Sequence, residues 1–199
     1  MSKQIRSLAS WIFLFLKSPK VALSIPINGC FIYPGASITL ARNSRLVVNG
    51  KIEVHADAAI YVREGSRLEL GSNVCVHKGA IIDTSYGSIK IGSNVSVNPY
   101  TILYGHGGLS IGSNVRIAAH CVFIPANHSF KDKKIPIMNQ EVTAKGIVVE
   151  DNVWFGARCV VLDGVRVCHS SVVGAGSVIS RDVPSYHVSK GVPATNFPY

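Results

Sequence analysis

The sequence predicts an all-β fold in which the chain winds as a solenoid of short parallel strands. Three observations predict it. Apolar residues return every six positions through Val149, Phe155, Val161, Val167, Val173 and Ile179. The phrase Gly-Ser-Asn-Val recurs from Gly71, Gly92 and Gly112, at intervals of 21 and 20 residues, and returns as Glu150-Asp-Asn-Val. Gly, Ser, Asn and Asp fill the positions between apolar residues, where a chain that turns sharply needs left-handed or tight backbone. A period of six suits neither an amphipathic helix nor a simple alternating strand. It suits a triangular coil with one inward aliphatic residue on each side, about 18 residues per turn, whose hydrophobic ladder is buried only by stacking on the next coil.

Along the chain, residues 1–25 stand apart. Leu8 to Leu16 is mostly apolar and flanked by Lys3, Arg6, Lys17 and Lys20. Nine residues are too few to cross about 30 Å of hydrocarbon as a helix, and a clean secretory h-region with a cleavage site is missing. The segment reads either as a helix covering the open end of the solenoid or as a basic helix lying on an anionic membrane surface. Residues 26–199 form the solenoid domain. Its beat is loose through Ile38, Leu46, Ile52 and Ile60 and firm through Leu70, Val76 and Ile82, then Ile111, Ile117 and Phe123. From Phe123 to Val149 is 26 residues where six would do, so about twenty residues, roughly 125–147, leave the coil as a loop. Insertions of that length are usually lids or binding loops.

Composition narrows the function classes. With 47% hydrophobic and 16% charged residues among 199, the chain has material for a full core and is no disordered segment. The net charge of +9 calls for an anionic partner, but there is no Lys/Arg-rich run and no nucleic-acid module, so nucleic acid is not expected. An anionic small molecule such as a nucleotide-containing cofactor, or a membrane surface, remains. The five cysteines are odd in number and hold no C-x-x-C pair, which argues against a disulfide framework or zinc ribbon and for a reducing, cytoplasmic setting, possible contact with the inner membrane face aside. Cys75, Cys121 and Cys159 lie in apolar runs and read as small core hydrophobes.

The repeated pattern I/V/L-G-x-x-V-x resembles the hexapeptide-repeat acyltransferases, over roughly residues 70–195 and more loosely over 30–70. Ile111-Gly-Ser-Asn-Val-Arg-Ile117, Phe123-Ile-Pro-Ala-Asn-His128, the loop, and Val153-Trp154-Phe155-Gly156-Ala157 are similar to the galactoside and maltose acetyltransferase group. So are Val173-Gly-Ala-Gly-Ser-Val-Ile-Ser-Arg-Asp-Val-Pro184 and Gly191-Val-Pro-Ala194. Bacterial enzymes that acetylate capsule, exopolysaccharide or O-antigen sugars share this layout. The resemblance implies a left-handed parallel β-helix, a homotrimer with the site between adjacent subunits, and acetyl-CoA as acyl donor.

The same resemblance implies roles for single residues. His128 is the general base, since an alcohol needs its proton removed and imidazole changes protonation near neutrality. The amide of Ala157 receives the oxyanion, and Ala175 offers backbone to the pantetheine arm. Arg181 and Lys190 meet the cofactor phosphates. Asn98 contacts the acceptor sugar, Trp154 forms a wall beside His128, and His106 stands where relatives often carry a carboxylate. Thr195 replaces the usual basic residue after Gly-Val-Pro-Ala. No metal is implied: the H-x-x-x-x-H pair of a carbonic anhydrase of this fold is missing, since His120 and His128 are eight apart. The function expected is O-acetylation of a sugar hydroxyl. Acetylation of a nucleotide-linked amino sugar and a non-catalytic scaffold are the alternatives.

Overall fold

Residues 29–199 are described by a computed structural model, and the expected N-terminal helix over 1–25 lies outside them. The described chain is a parallel β-helix with three faces. Sheet 1 runs from Cys30–Ile32 to the C-terminal strands His187–Gly191 and Ala194–Pro198 and has nine strands. Sheet 2 has seven, from Ser37–Leu40 to Val178–Ile179, and sheet 3 has six, from Arg45–Val48 to Arg166–Val167. The first six coils contribute one strand to each sheet; the seventh contributes to sheets 1 and 2 and meets sheet 3 only through a bridge between Val167 and Val183.

Strand register gives the coil lengths directly. Cys30 pairs with Ile52 and Ile52 with Val74, 22 residues on each time. Cys75 pairs with Ser96, 21 on, and Ser96 with Arg116, 20 on. Arg116 then pairs with Trp154, 38 on, and Trp154 with Val172, 18 on. The fifth coil therefore carries 20 residues more than the sixth, and the extra length lies in the predicted loop. The six-residue beat is the inward ladder: Val149, Phe155, Val161, Val167, Val173 and Ile179 are all buried. Phe123 and Phe155, stacked on consecutive coils, meet edge to face at 5.1 Å, an arrangement worth about 1 kcal/mol beyond area burial.

The Gly-Ser-Asn phrase is explained at the corner between sheets 3 and 1. A side chain at Gly71 would stand 2.6 Å from the carbonyl carbon of Gly92, and one at Gly92 equally close to that of Gly112, so glycine lets coils approach. The serine that follows accepts a backbone N–H from the coil before it: Ser72 N–H donates to Ser93 Oγ at 3.1 Å and Ser93 N–H to Ser113 Oγ at 3.0 Å. Asn73, Asn94 and Asn114 sit at φ of 56°, 58° and 60°, a region asparagine tolerates better than most residues. Their amides form a ladder, Asn73 Nδ2 to Asn94 Oδ1 at 3.0 Å and Asn94 Nδ2 to Asn114 Oδ1 at 3.1 Å. One tripeptide thus supplies close approach, a cross-coil acceptor and the turn.

One expectation changes. Cys121 and Cys159 are buried as expected, but Cys75 is only half-buried and points outward from sheet 1 between inward Val74 and Val76. A cysteine in an apolar run alternates in and out with its strand, and Cys75 falls on the outer beat. The loop also has internal order. Asn127–His128 pairs antiparallel with Val142–Thr143, and a single 3-10 turn spans Ile137–Asn139. Gln140 knots the tip, donating from Nε2 to the carbonyls of Asp132 and Ile135 at 2.8 Å.

Candidate functional site

His128 stands at the base of the loop, on the corner between sheets 2 and 3. The two-stranded ribbon fixes its backbone opposite Val142, and Ser129 N–H donates to Glu141 O at 2.7 Å just beyond. The ribbon's feet are pinned to the solenoid. Gly107 N–H donates to Pro125 O at 3.1 Å, and Asp163 Oδ1 accepts the N–H groups of Lys145 and Gly146, both at 2.8 Å. The His128 side chain is exposed and forms no hydrogen bond among the described residues, so a proton-bearing ligand can reach its ring nitrogens.

Beside this base runs an open groove of about 510 Å³, lined by Arg67, Tyr86, Ser88, His106, Gly107 and Ala144. That volume falls within the range of small-ligand sites. His106 is exposed at the rim and packs edge-on against Tyr104 at 5.6 Å. One coil below, Asp83 anchors the same corner, accepting from Arg63 Nε at 2.9 Å and from Ser85 N–H at 2.8 Å. Burial alone would raise the Asp83 carboxyl, but the Arg63 and Ser85 hydrogen bonds outweigh it and hold it below its ordinary value.

The remaining expected residues lie elsewhere. Asn98, Ala157 and Ala175 occupy the corner between sheets 1 and 2, on coils four, six and seven. Within one chain that corner is separated from His128 by the width of sheet 2, roughly 15–20 Å at about 3.3 Å per residue. Asn98 is half-buried, and its Nδ2 already donates to Ile117 O at 2.7 Å, leaving Oδ1 as its spare polar atom. The amides of Ala157 and Ala175 donate to nothing among the described residues, although Gly156, Arg158, Gly174 and Gly176 on either side all do. Gly176 N–H donates to Ala157 O at 2.8 Å, so the two free amides stand on consecutive coils in a fixed relation. Trp154 is exposed on the outer face of sheet 1, two residues before that corner. Arg181 is exposed on the His128 corner two coils further on, and Lys190 lies on the terminal hairpin with its ammonium 5.0 Å from the Phe197 ring.

One chain therefore gathers His128, His106 and Arg181 on one corner and Asn98, Ala157 and Ala175 on another. Residues that sequence reasoning did not single out are the pins, Gly107 and Asp163. Asp163 was findable as the acidic residue before a glycine at the coil corner following the loop, but its two partners were not.

Comparison with known proteins bears on this arrangement. A family profile described as "Hexapeptide repeat of succinyl-transferase" matches residues 146–181. The chain is 34% identical over 114 residues to the galactoside O-acetyltransferase of Escherichia coli K12, covering 55% of this chain and 53% of that one. It is 30% identical over 142 residues to a putative lipopolysaccharide biosynthesis O-acetyl transferase, WbbJ, of the same organism, covering 67% and 72%. A solved maltose O-acetyltransferase from Clostridium difficile 630 superposes with a TM-score of 0.58 at 25% identity, over 65% of this chain and 67% of that one. The chain spans about half the length of the galactoside enzyme and of another curated relative.

Proposed function

We propose that this chain, which belongs to the hexapeptide-repeat acyltransferase family, is an acetyl-CoA-dependent O-acetyltransferase acting on a sugar hydroxyl in surface-polysaccharide synthesis. In the reaction, His128 removes the proton of the acceptor hydroxyl as its oxygen attacks the thioester carbonyl. The tetrahedral oxyanion accepts the free N–H of Ala157. When it collapses, the carbon–sulfur bond breaks, the acetyl group stays on the sugar oxygen, and the departing thiolate takes the proton held on His128. A thiol is acidic enough to leave with little further help.

The split of the site between two corners is the observation that carries this reading. A base on one corner and free amides on another act together when a second copy brings its own corner alongside, as in a homotrimer with a site at each subunit boundary. Ala157 and Ala175 then supply one wall, with small side chains that let a pantetheine arm lie against the coil. Asn98 and Trp154 face the acceptor from that wall, while the groove at His106 and Arg67 receives the rest of the saccharide. Arg181 and Lys190 serve the cofactor phosphates. Among the described residues no helix is long and apolar enough to cross a membrane.

Thiol release from acetyl-CoA with a panel of sugars, amino sugars and glycans tests the proposal. His128 is exposed, so His128→Ala folds; loss of general-base catalysis lowers kcat by about 10²–10⁴-fold. Turnover retained in that variant overturns the mechanism, and preferential use of amino acceptors moves the assignment to N-acetylation. Co-expressing His128→Ala with Ala175→Trp restores partial activity if each site takes residues from two chains.

A further inference from the structure

Far from His128, on the outer face of sheet 1, the second and third coils hold a compact set of metal-ligating side chains. Register places Glu53 beside Cys75, both outward between buried neighbours. Two residues further along each coil, at the turn into sheet 2, His55 stacks on His77 with ring centroids 4.9 Å apart, and Tyr33 stacks on His55 at 4.6 Å. Cys75 Sγ lies 3.4 Å from His55 Nε2. Glu53 Oε2 lies 3.8 Å from the same nitrogen. The ligand atoms of His55, Cys75 and His77 all lie within 4.8 Å of one another. A cavity of about 180 Å³ opens beside them, lined by Lys51, Glu53, Asn73 and Cys75.

We propose that His55, Cys75 and His77, with Glu53 as fourth ligand, bind a thiophilic divalent cation, zinc foremost, that joins the second coil to the third. The donor set of two imidazoles, one thiolate and one carboxylate suits zinc, and the separations of the thiol and the carboxylate from His55 Nε2 fit. Zinc–sulfur bonds of about 2.3 Å and zinc–nitrogen bonds of about 2.0–2.1 Å place tetrahedral neighbours about 3.4–3.6 Å apart. The His55–Cys75 and His55–Glu53 separations are already close to such edges. No separation among the ligand atoms of His55, Cys75 and His77 is beyond 4.8 Å, at most about 1.3 Å over an edge, which turning an outward imidazole about its side-chain bonds supplies. Burial, then His55, holds the His77 imidazole below its ordinary value, so it presents a neutral ring with a lone pair. Burial and Glu53 push the Cys75 thiol up to about 11, so cation binding displaces its proton. The cluster shares no residue with the acetyl-transfer site, and the proposal stands independently of that reading.

The test uses the full chain, stripped by chelator and titrated with cobalt(II). The expected result is one equivalent per chain with a thiolate-to-cobalt charge-transfer band and tetrahedral d–d bands, displaced by zinc, and a melting temperature raised by either ion. Cys75→Ser removes the charge-transfer band, while His77→Ala and Glu53→Gln each weaken binding at least tenfold. Cys168→Ser, which alters the half-exposed thiol on the sixth coil, leaves all signals unchanged. Absence of the band in the wild-type chain, or its persistence in folded Cys75→Ser, overturns the proposal. Residues 1–28 contain no His or Cys, so no imidazole or thiol from that segment supplies the signal.

Discussion

Replacing Gly107 by alanine perturbs the position of His128 without touching its side chain. Gly107 lies on the fourth coil, directly beneath both feet of the ribbon that carries His128. An added Cβ stands 2.7 Å from Pro125 O, from the Ala144 carbonyl carbon and from Gly146 N. Ordinary contact begins at 3.4 Å, so these atoms must retreat by about 0.7 Å. All three are backbone atoms rather than flexible side-chain ends, and they belong to both feet, so the ribbon shifts as a unit. The 3.1 Å hydrogen bond from Gly107 N–H to Pro125 O lengthens in the same movement. Misplacement of a reacting group by about 1 Å costs about 10²-fold in rate; a shift somewhat smaller predicts a kcat reduced about ten- to hundredfold. The KM for acetyl-CoA stays near its wild-type value, because the amides of Ala157 and Ala175 lie on the other corner. Overpacking also lowers stability by about 1–3 kcal/mol. Gly71→Ala separates the two effects, since its Cβ meets Gly92 backbone at 2.6 Å on the corner between sheets 3 and 1. Steady-state thiol release and thermal denaturation are measured for both variants. If Gly107→Ala turns over as fast as Gly71→Ala, the pinned feet do not position His128.

Two further perturbations probe the corners. Asn94→Ala breaks both rungs of the amide ladder and places alanine at a φ of 58°, costing about 1–2 kcal/mol for the backbone alone; Asn94→Gly loses the rungs but not the conformation. Chemical denaturation should therefore rank the glycine variant above the alanine variant, and the reverse order refutes the backbone argument. Asp83→Asn removes a carboxylate whose folded value lies below that of an unfolded aspartate, about 3.9. Its contribution is complete above that value and is lost as pH falls through the folded one. With Arg63 42% exposed, the contribution is about 1 kcal/mol. The wild-type advantage should be constant from pH 6 to 8 and shrink below pH 4; a gap that widens in acid contradicts the assignment.

The inward ladder was legible in the sequence because burial enforces it at every coil: a polar residue at Val161 or Phe155 would face the core. The loop's size was legible for the same reason, since the beat stops at Phe123 and resumes only at Val149, 26 residues on. Outward residues carry no such constraint within their own strand. Their neighbours are set by coil length, which changes from 22 to 21, 20 and 18 residues along the chain. Hence the 22-residue spacing of His55 and His77 meant little until register showed that 22 is one turn at that level. The division of the proposed acetyl-transfer residues between two corners was hidden similarly. Which corner holds Asn98 and which holds His128 follows only once each is assigned to its side of the triangle.

The pinned loop also bears on how such a chain can change. Because the fifth coil closes through the same sheet 3 strand register as its neighbours, the excursion is a detour whose length the solenoid never registers. Its ends leave and return at Gly107, so closing it costs a similar entropy whether it holds ten residues or thirty. Insertions, deletions or wholesale exchange between Pro125 and Gly146 can alter what is admitted beside His128 while every inward residue keeps its neighbours. The helix is in this sense a fixed socket, and the loop an exchangeable fitting.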